Sequence, residues 1–130
     1  MDPISDLLVR IKNAGYAGKM NVTAPFSRMK LSIAQLLEQK GFVGSVETKG
    51  KNPSSKYLTV HLLYEADGSP RIRDAKRVSK PSRRLYEKAN KLKPHRQGFG
   101  IAVLSTPKGI MADMDAKKIK VGGEVLFTIW

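Results

Sequence analysis

The sequence predicts an α+β chain of two small lobes. An N-terminal lobe of two helices and a small sheet is expected over residues 1–66, and a C-terminal, mostly β lobe with one short helix over residues 67–130. Three observations carry this. Two apolar stripes of helical period fall before Gly41, strand-like alternation and short apolar runs dominate after it, and the turn-forming stretch Ala66-Asp67-Gly68-Ser69-Pro70 divides the chain.

The first helix opens on Asp2 as N-cap and Pro3 as first helical residue. Ile4, Leu7, Leu8 and Ile11 form one stripe at i, i+3, i+4 and i+7, and Asn13-Ala14-Gly15 is expected to close it. Residues 21–24 read as a short strand before Pro25. Ser27 caps a second helix in which Met29, Ile33, Leu36 and Leu37 share a face, with Gly41 just past its end. Arg28 and Lys30 stand on its first turn, where cations oppose the helix dipole. Such a placement suits an outside anion; solvated lysines are the plainer alternative. Residues 42–48 and 57–64 form a hairpin around a polar turn rich in lysine, which includes Lys56.

Beyond the divide, residues 71–96 hold eleven Lys and Arg against Asp74 and Glu87 alone. Ile72, Val78, Leu85, Tyr86 and Leu92 punctuate the run, so two short strands are expected over 71–79 and 83–86, with a loop over 89–97. Ile101 to Leu104 is an unbroken apolar run. It reads as a buried strand, with a buried helical turn as the alternative that periodicity leaves open. Ser105-Thr106-Pro107 then breaks it. Thr106 suits an N-cap and Pro107 a first helical position, which predicts a helix over 107–118 with Ile110, Met111 and Met114 inward. The corner would then be either an anion site at a helix start or a capped helix and nothing more. Val121-Gly122-Gly123-Glu124 is a tight turn, and residues 125–130 are a final strand.

Composition narrows the function. The 130 residues carry 24 Lys and Arg against 11 Asp and Glu, a formal charge of +13, with +4 on residues 1–66 and +9 on 67–130. So much positive potential predicts a polyanionic partner, with nucleic acid favoured. No apolar run nears the ~18 residues of a membrane span, and no signal-peptide core opens the chain. With no cysteine either, a cytoplasmic location and no membrane partner are expected. Catalysis finds little material. His61 and His95 lack metal-ligand partners at useful spacing, and Asp113 and Asp115 lie two apart on a helix. Gly98-Phe99-Gly100 starts a dinucleotide fingerprint, yet Val103 stands at its third glycine. No enzyme activity, metal site or cofactor is expected.

Three separated motifs then carry a resemblance. Gly100-Ile101-Ala102-Val103-Leu104-Ser105-Thr106-Pro107-Lys108-Gly109-Ile110-Met111 with Val121-Gly122-Gly123-Glu124-Val125, the opening Asp2-Pro3-Ile4-Ser5-Asp6-Leu7, and Arg77-Val78-Ser79-Lys80-Pro81 resemble the family of the eighth protein of the small ribosomal subunit, in its bacterial form. The resemblance spans essentially the whole chain. It implies a two-lobe α+β protein that binds the central domain of small-subunit ribosomal RNA, supports its assembly and neighbours other small-subunit proteins. It maps the principal RNA contacts to Ser105, Thr106 and Lys108, with Tyr86 and Glu124 nearby. Pro107 departs from the family's usual hydroxyl residue there, which removes one RNA hydrogen bond, and Ala116-Lys117 stands where the family commonly has Ala-Arg. Tyr86 would be a stacking platform or a core residue, and Glu124 a base or ribose acceptor or the partner of a nearby lysine. Arg83 and Arg84 would supply phosphate contacts, with Arg28, Lys30 and Lys56 adding more from the first lobe. Two alternatives stand beside this function: a repressor binding its own messenger RNA, which some family members are, and a sequence-specific DNA-binding module. The DNA reading lacks a basic recognition helix.

Overall fold

The structure, a computed structural model, describes residues 2–52, 54–95 and 99–130. Pro53 of the polar turn, and Arg96, Gln97 and Gly98 at the end of the expected loop and in the glycine motif, lie outside the described residues. The chain divides into two compact units, Met1–Arg73 and Asp74–Trp130.

In the first unit α1 spans Pro3–Tyr16, β1 Asn21–Pro25, α2 Arg28–Gln39, β2 Val43–Lys49 and β3 Tyr57–Leu62. Both helix starts form as their sequence demands. The Asp2 carboxylate accepts from Ser5 N at 3.0 Å, and Ser27 Oγ accepts from Lys30 N at 3.1 Å. Ile4, Leu7, Leu8 and Ile11 are buried along α1, which runs on past Gly15 to Tyr16, with Gly18 at φ +72° in the turn that follows. Of the stripe expected on α2, Ile33, Leu36 and Leu37 are buried, but Lys30 rather than Met29 begins it. Lys30, only 5% exposed, lies in line with Ile33, Ala34 and Leu37, while Met29 is 45% exposed. A lysine stem covers apolar surface as a methionine does, so the polar label of Lys30 concealed its place in the stripe. Gly41 sits at φ +80° beyond α2, as its position predicted. The strands form an antiparallel sheet in the order β1-β3-β2, closed by Phe42, Val43, Leu58 and Val60. After β3 the chain turns at Glu65–Ser69, Tyr64 pairs with Pro70, and Ile72 is buried.

The second unit holds β4 (Ala75–Arg77), β5 (Tyr86–Glu87), a short 3-10 helix (Ala89–Lys91), β6 (Ile101–Thr106), β7 (Gly109–Ala112), α3 (Asp113–Lys118) and β8 (Gly123–Ile129). Its antiparallel sheet runs β4-β8-β6-β7, with β5 also paired to β8. Of the two strands expected in the basic run, the first shortens to β4, although Val78 N and Ser79 N still bond Leu126 O and Val125 O, and the second shifts to β5, with Tyr86 alone in common.

The largest correction concerns the corner. No helix starts at Pro107. Instead β6 and β7 form a hairpin, with Thr106 opposite Gly109 and Pro107-Lys108 between them, and only Asp113–Lys118 is helical. Thr106 therefore is not a helix N-cap, and the corner has no helix dipole to offer an anion. Pro107 excludes a positive φ at the first loop position, and Gly109 at φ +115° supplies the positive-φ residue on which β7 leaves the two-residue Pro107-Lys108 loop. Residues 110 and 111 accordingly belong to a strand.

Candidate nucleic-acid interface

Register, more than sequence proximity, assembles the site. Tyr86 of β5 pairs with Glu124 of β8, which pairs with Ser105 of β6, so three residues far apart in sequence form one row across adjacent strands. Directly paired residues project to the same face of a sheet. The intervening residues Leu104, Met111 and Val125 project to the other face, where they pack with Leu92, Met114 and Ala116 under α3. The apolar layer on one side thus sets the polar row on the other.

Glycine makes the row close enough to pair. A Cβ on Gly123 would collide with the Ser105 carbonyl oxygen, and one on Gly122 with the Glu87 carbonyl oxygen. The Gly122-Gly123 pair thus lets β5 and β6 both approach the start of β8. Here the sequence expectation of a tight turn is replaced by a strand start.

Tyr86 stands 68% exposed, so it is not a core residue and its ring is open to a ligand. Glu124 is engaged from two sides. Ser79 Oγ donates to its Oε2 at 2.5 Å, and Arg84 Nη1 approaches Oε1 at 3.5 Å. The cationic neighbour is thus an arginine rather than a lysine. Ser79 also accepts from Leu85 N at 3.0 Å, and is fully buried. This serine was missed as a site residue, although an uncharged hydroxyl inside so basic a run was a usable signal. It ties both ends of the 80–83 turn, where Lys80 and Arg83 exchange backbone hydrogen bonds, to the glutamate. Arg83 and Arg84 project from that turn as exposed side chains.

In the β6–β7 loop, Thr106 Oγ1 donates to Gly109 O at 2.8 Å and accepts from Lys108 N at 3.1 Å. Lys108 is exposed at the tip, and Ser105 and Thr106 are half-buried beside it. Of the first-unit candidates, Arg28 is exposed and Lys30 is buried, so an outside anion meets Arg28 more readily than Lys30. Lys56 places its ammonium 4.4 Å from the Phe26 ring centroid, a cation–π contact at the entry to β3. A second exposed aromatic, Phe99 at 78%, also escaped the sequence reading.

Asp113, at the start of α3, is buried, and that burial pushes its carboxyl above the usual range. The backbone N–H groups of Met114 and Ala102 and the nearby His95 pull in the opposite direction. Among the described residues no three His, Asp or Glu side chains gather to hold a metal ion, and no helix is long and apolar enough to cross a membrane.

Residues 2–130 match the family described as Ribosomal protein S8. A protein of Bradyrhizobium sp. (strain ORS 278) named small ribosomal subunit protein uS8 is 46% identical over 129 residues, covering 99% of this chain and 97% of its own. Proteins of the same name from Rhodopseudomonas palustris (strain BisB5) and Nitrobacter hamburgensis are 46% and 43% identical over the same coverage.

Proposed function

Since the chain belongs to the ribosomal protein S8 family, we propose that it binds the central domain of small-subunit ribosomal RNA and supports the assembly of that domain. The family makes it a cytoplasmic, non-enzymatic constituent of the small ribosomal subunit. The observation that carries the RNA reading is the row Tyr86–Glu124–Ser105, flanked by Arg83, Arg84 and Lys108. An exposed ring, a held carboxylate and a hydroxyl at neighbouring positions offer stacking and hydrogen bonds to unstacked bases or ribose 2′-hydroxyls. The surrounding cations supply affinity for phosphate without regard to sequence. Ser79 and Arg84 fix the Glu124 carboxylate before RNA arrives, so its orientation costs no further ordering on binding. A regular duplex hides its base edges in a deep groove, so an irregular RNA element fits this row best. The six-residue α3 is too short to be a major-groove recognition helix, which disfavours the DNA module.

The test is a titration of the protein with a transcript of the ribosomal RNA central domain, in competition with duplex DNA and with a regular RNA duplex of equal length. Tight binding to the transcript at a salt concentration that releases both competitors is expected. Equal affinity for all three would overturn the proposal.

A further inference from the structure

A second basic surface lies on the opposite side of the same sheet. Lys91 and Lys93 flank Leu92, whose carbonyl oxygen accepts from Lys117 Nζ at 2.9 Å, and this bond brings them beside Lys118 and Lys120 at the end of α3. Leu92 and Ala116 belong to the apolar cluster under α3, on the face that carries Leu104 rather than Ser105. All five lysines are exposed, and among the described residues none of them forms an ion pair.

Lys120 adds a second, independent observation. It is the only non-glycine residue at positive φ among those described, at +60°. Lys120 N bonds Lys117 O at 3.1 Å and Val121 N bonds Ala116 O at 3.0 Å, the paired hydrogen bonds of a helix end whose left-handed residue is ordinarily glycine. A lysine there is less favourable than glycine, and it stands exposed. A less favourable residue kept at an exposed position points to a role outside the folded chain.

We infer that the lysines of α3 and of the 3-10 segment hold the phosphate backbone of a second RNA segment, so that the C-terminal unit bridges two pieces of RNA across its sheet. The inference rests on RNA being the ligand of the first face. Lysine-rich surface suits phosphate better than protein, because protein interfaces are depleted of lysine at their centres and enriched in aromatic anchors. Here the one large apolar side chain among the cations is Ile119, half exposed. A single RNA helix lying on the Tyr86 row has no access to the far face, since the sheet and α3 stand between them.

Hydroxyl-radical footprinting on the central-domain transcript tests this, with wild type, Arg83→Ala/Arg84→Ala, Lys117→Ala/Lys118→Ala/Lys120→Gly, and Lys120→Gly alone. Wild type is expected to protect two separated segments. The arginine variant should lose one and the lysine variant the other, and the lysine variant should lower the log–log salt slope by about 0.7–0.9 per lost contact. Lys120→Gly alone should melt higher than wild type while binding the transcript more weakly. Protection of a single segment, or a lysine variant with unchanged footprint and slope, overturns the bridging inference and leaves the first face standing. If the lysine variant instead keeps every RNA contact but loses a ribosomal protein partner, the surface is a protein interface and the inference is wrong. A wild type that protects nothing overturns the proposed function itself.

Discussion

Ser79 shows how much a single buried hydroxyl arranges in this protein. It donates to Glu124 and accepts from Leu85 N, so Ser79→Ala strands one backbone donor and frees one carboxylate. A loss of about 1–3 kcal/mol in urea unfolding is expected, together with weaker RNA binding from a disordered Glu124. Unchanged unfolding would show that the 80–83 turn holds itself. Tyr86 makes the opposite case. It is exposed, so Tyr86→Ala should barely move the melting temperature, yet cost roughly 1–3 kcal/mol of affinity for the ribosomal transcript. Thr106 is answerable to a hairpin loop rather than a helix. Thr106→Asp, which would strengthen a helix cap, here keeps an acceptor for Lys108 N and loses the donor to Gly109 O. A modest drop in melting temperature is therefore expected, and a rise would restore the helical reading.

At the scale of elements, the chain was readable wherever local chemistry admits one answer. An aspartate or serine cap, an apolar stripe and a following glycine placed α1 and α2 to within a residue or two. The third helix was misplaced for a definite reason. A first helical position and the first loop position of a type I turn demand the same φ near −65°, so Pro107 satisfies both. The discriminating residue was Gly109, whose φ of +115° belongs to a hairpin and to no helix interior. Gly109→Ala should destabilise the loop even though open space surrounds it, because the strain is in the backbone. Gly123→Ala should do more, roughly 3 kcal/mol or beyond, since its methyl meets the Ser105 carbonyl and forces β6 from β8. Circular dichroism melts of the two variants would rank them, and an equal cost would mean the β6–β8 pairing tolerates the displacement.

The whole molecule adds a dependence on pH. Burial raises the Asp113 carboxyl above its ordinary value of 3.8, so its ionised form costs stability at neutral pH, and the cost fades as pH falls toward that value. Asp113→Asn should accordingly stabilise the protein near pH 7, with an advantage that shrinks on acidification. Melting curves between pH 4 and 8 would reveal a constant offset if the charge were irrelevant. The sequence alone determined the caps, the apolar stripes, the division of charge and the family motifs, because each is a matter of residue type at short range. Only tertiary structure decided that Tyr86, Glu124 and Ser105 form one row, that Ser79 clamps it, and that a second set of lysines lies on the reverse face. Those facts depend on strand register and on which face of a sheet is buried. Pairings between residues some 20–40 positions apart are chosen by packing summed over the whole unit, and no local window of the chain contains that sum.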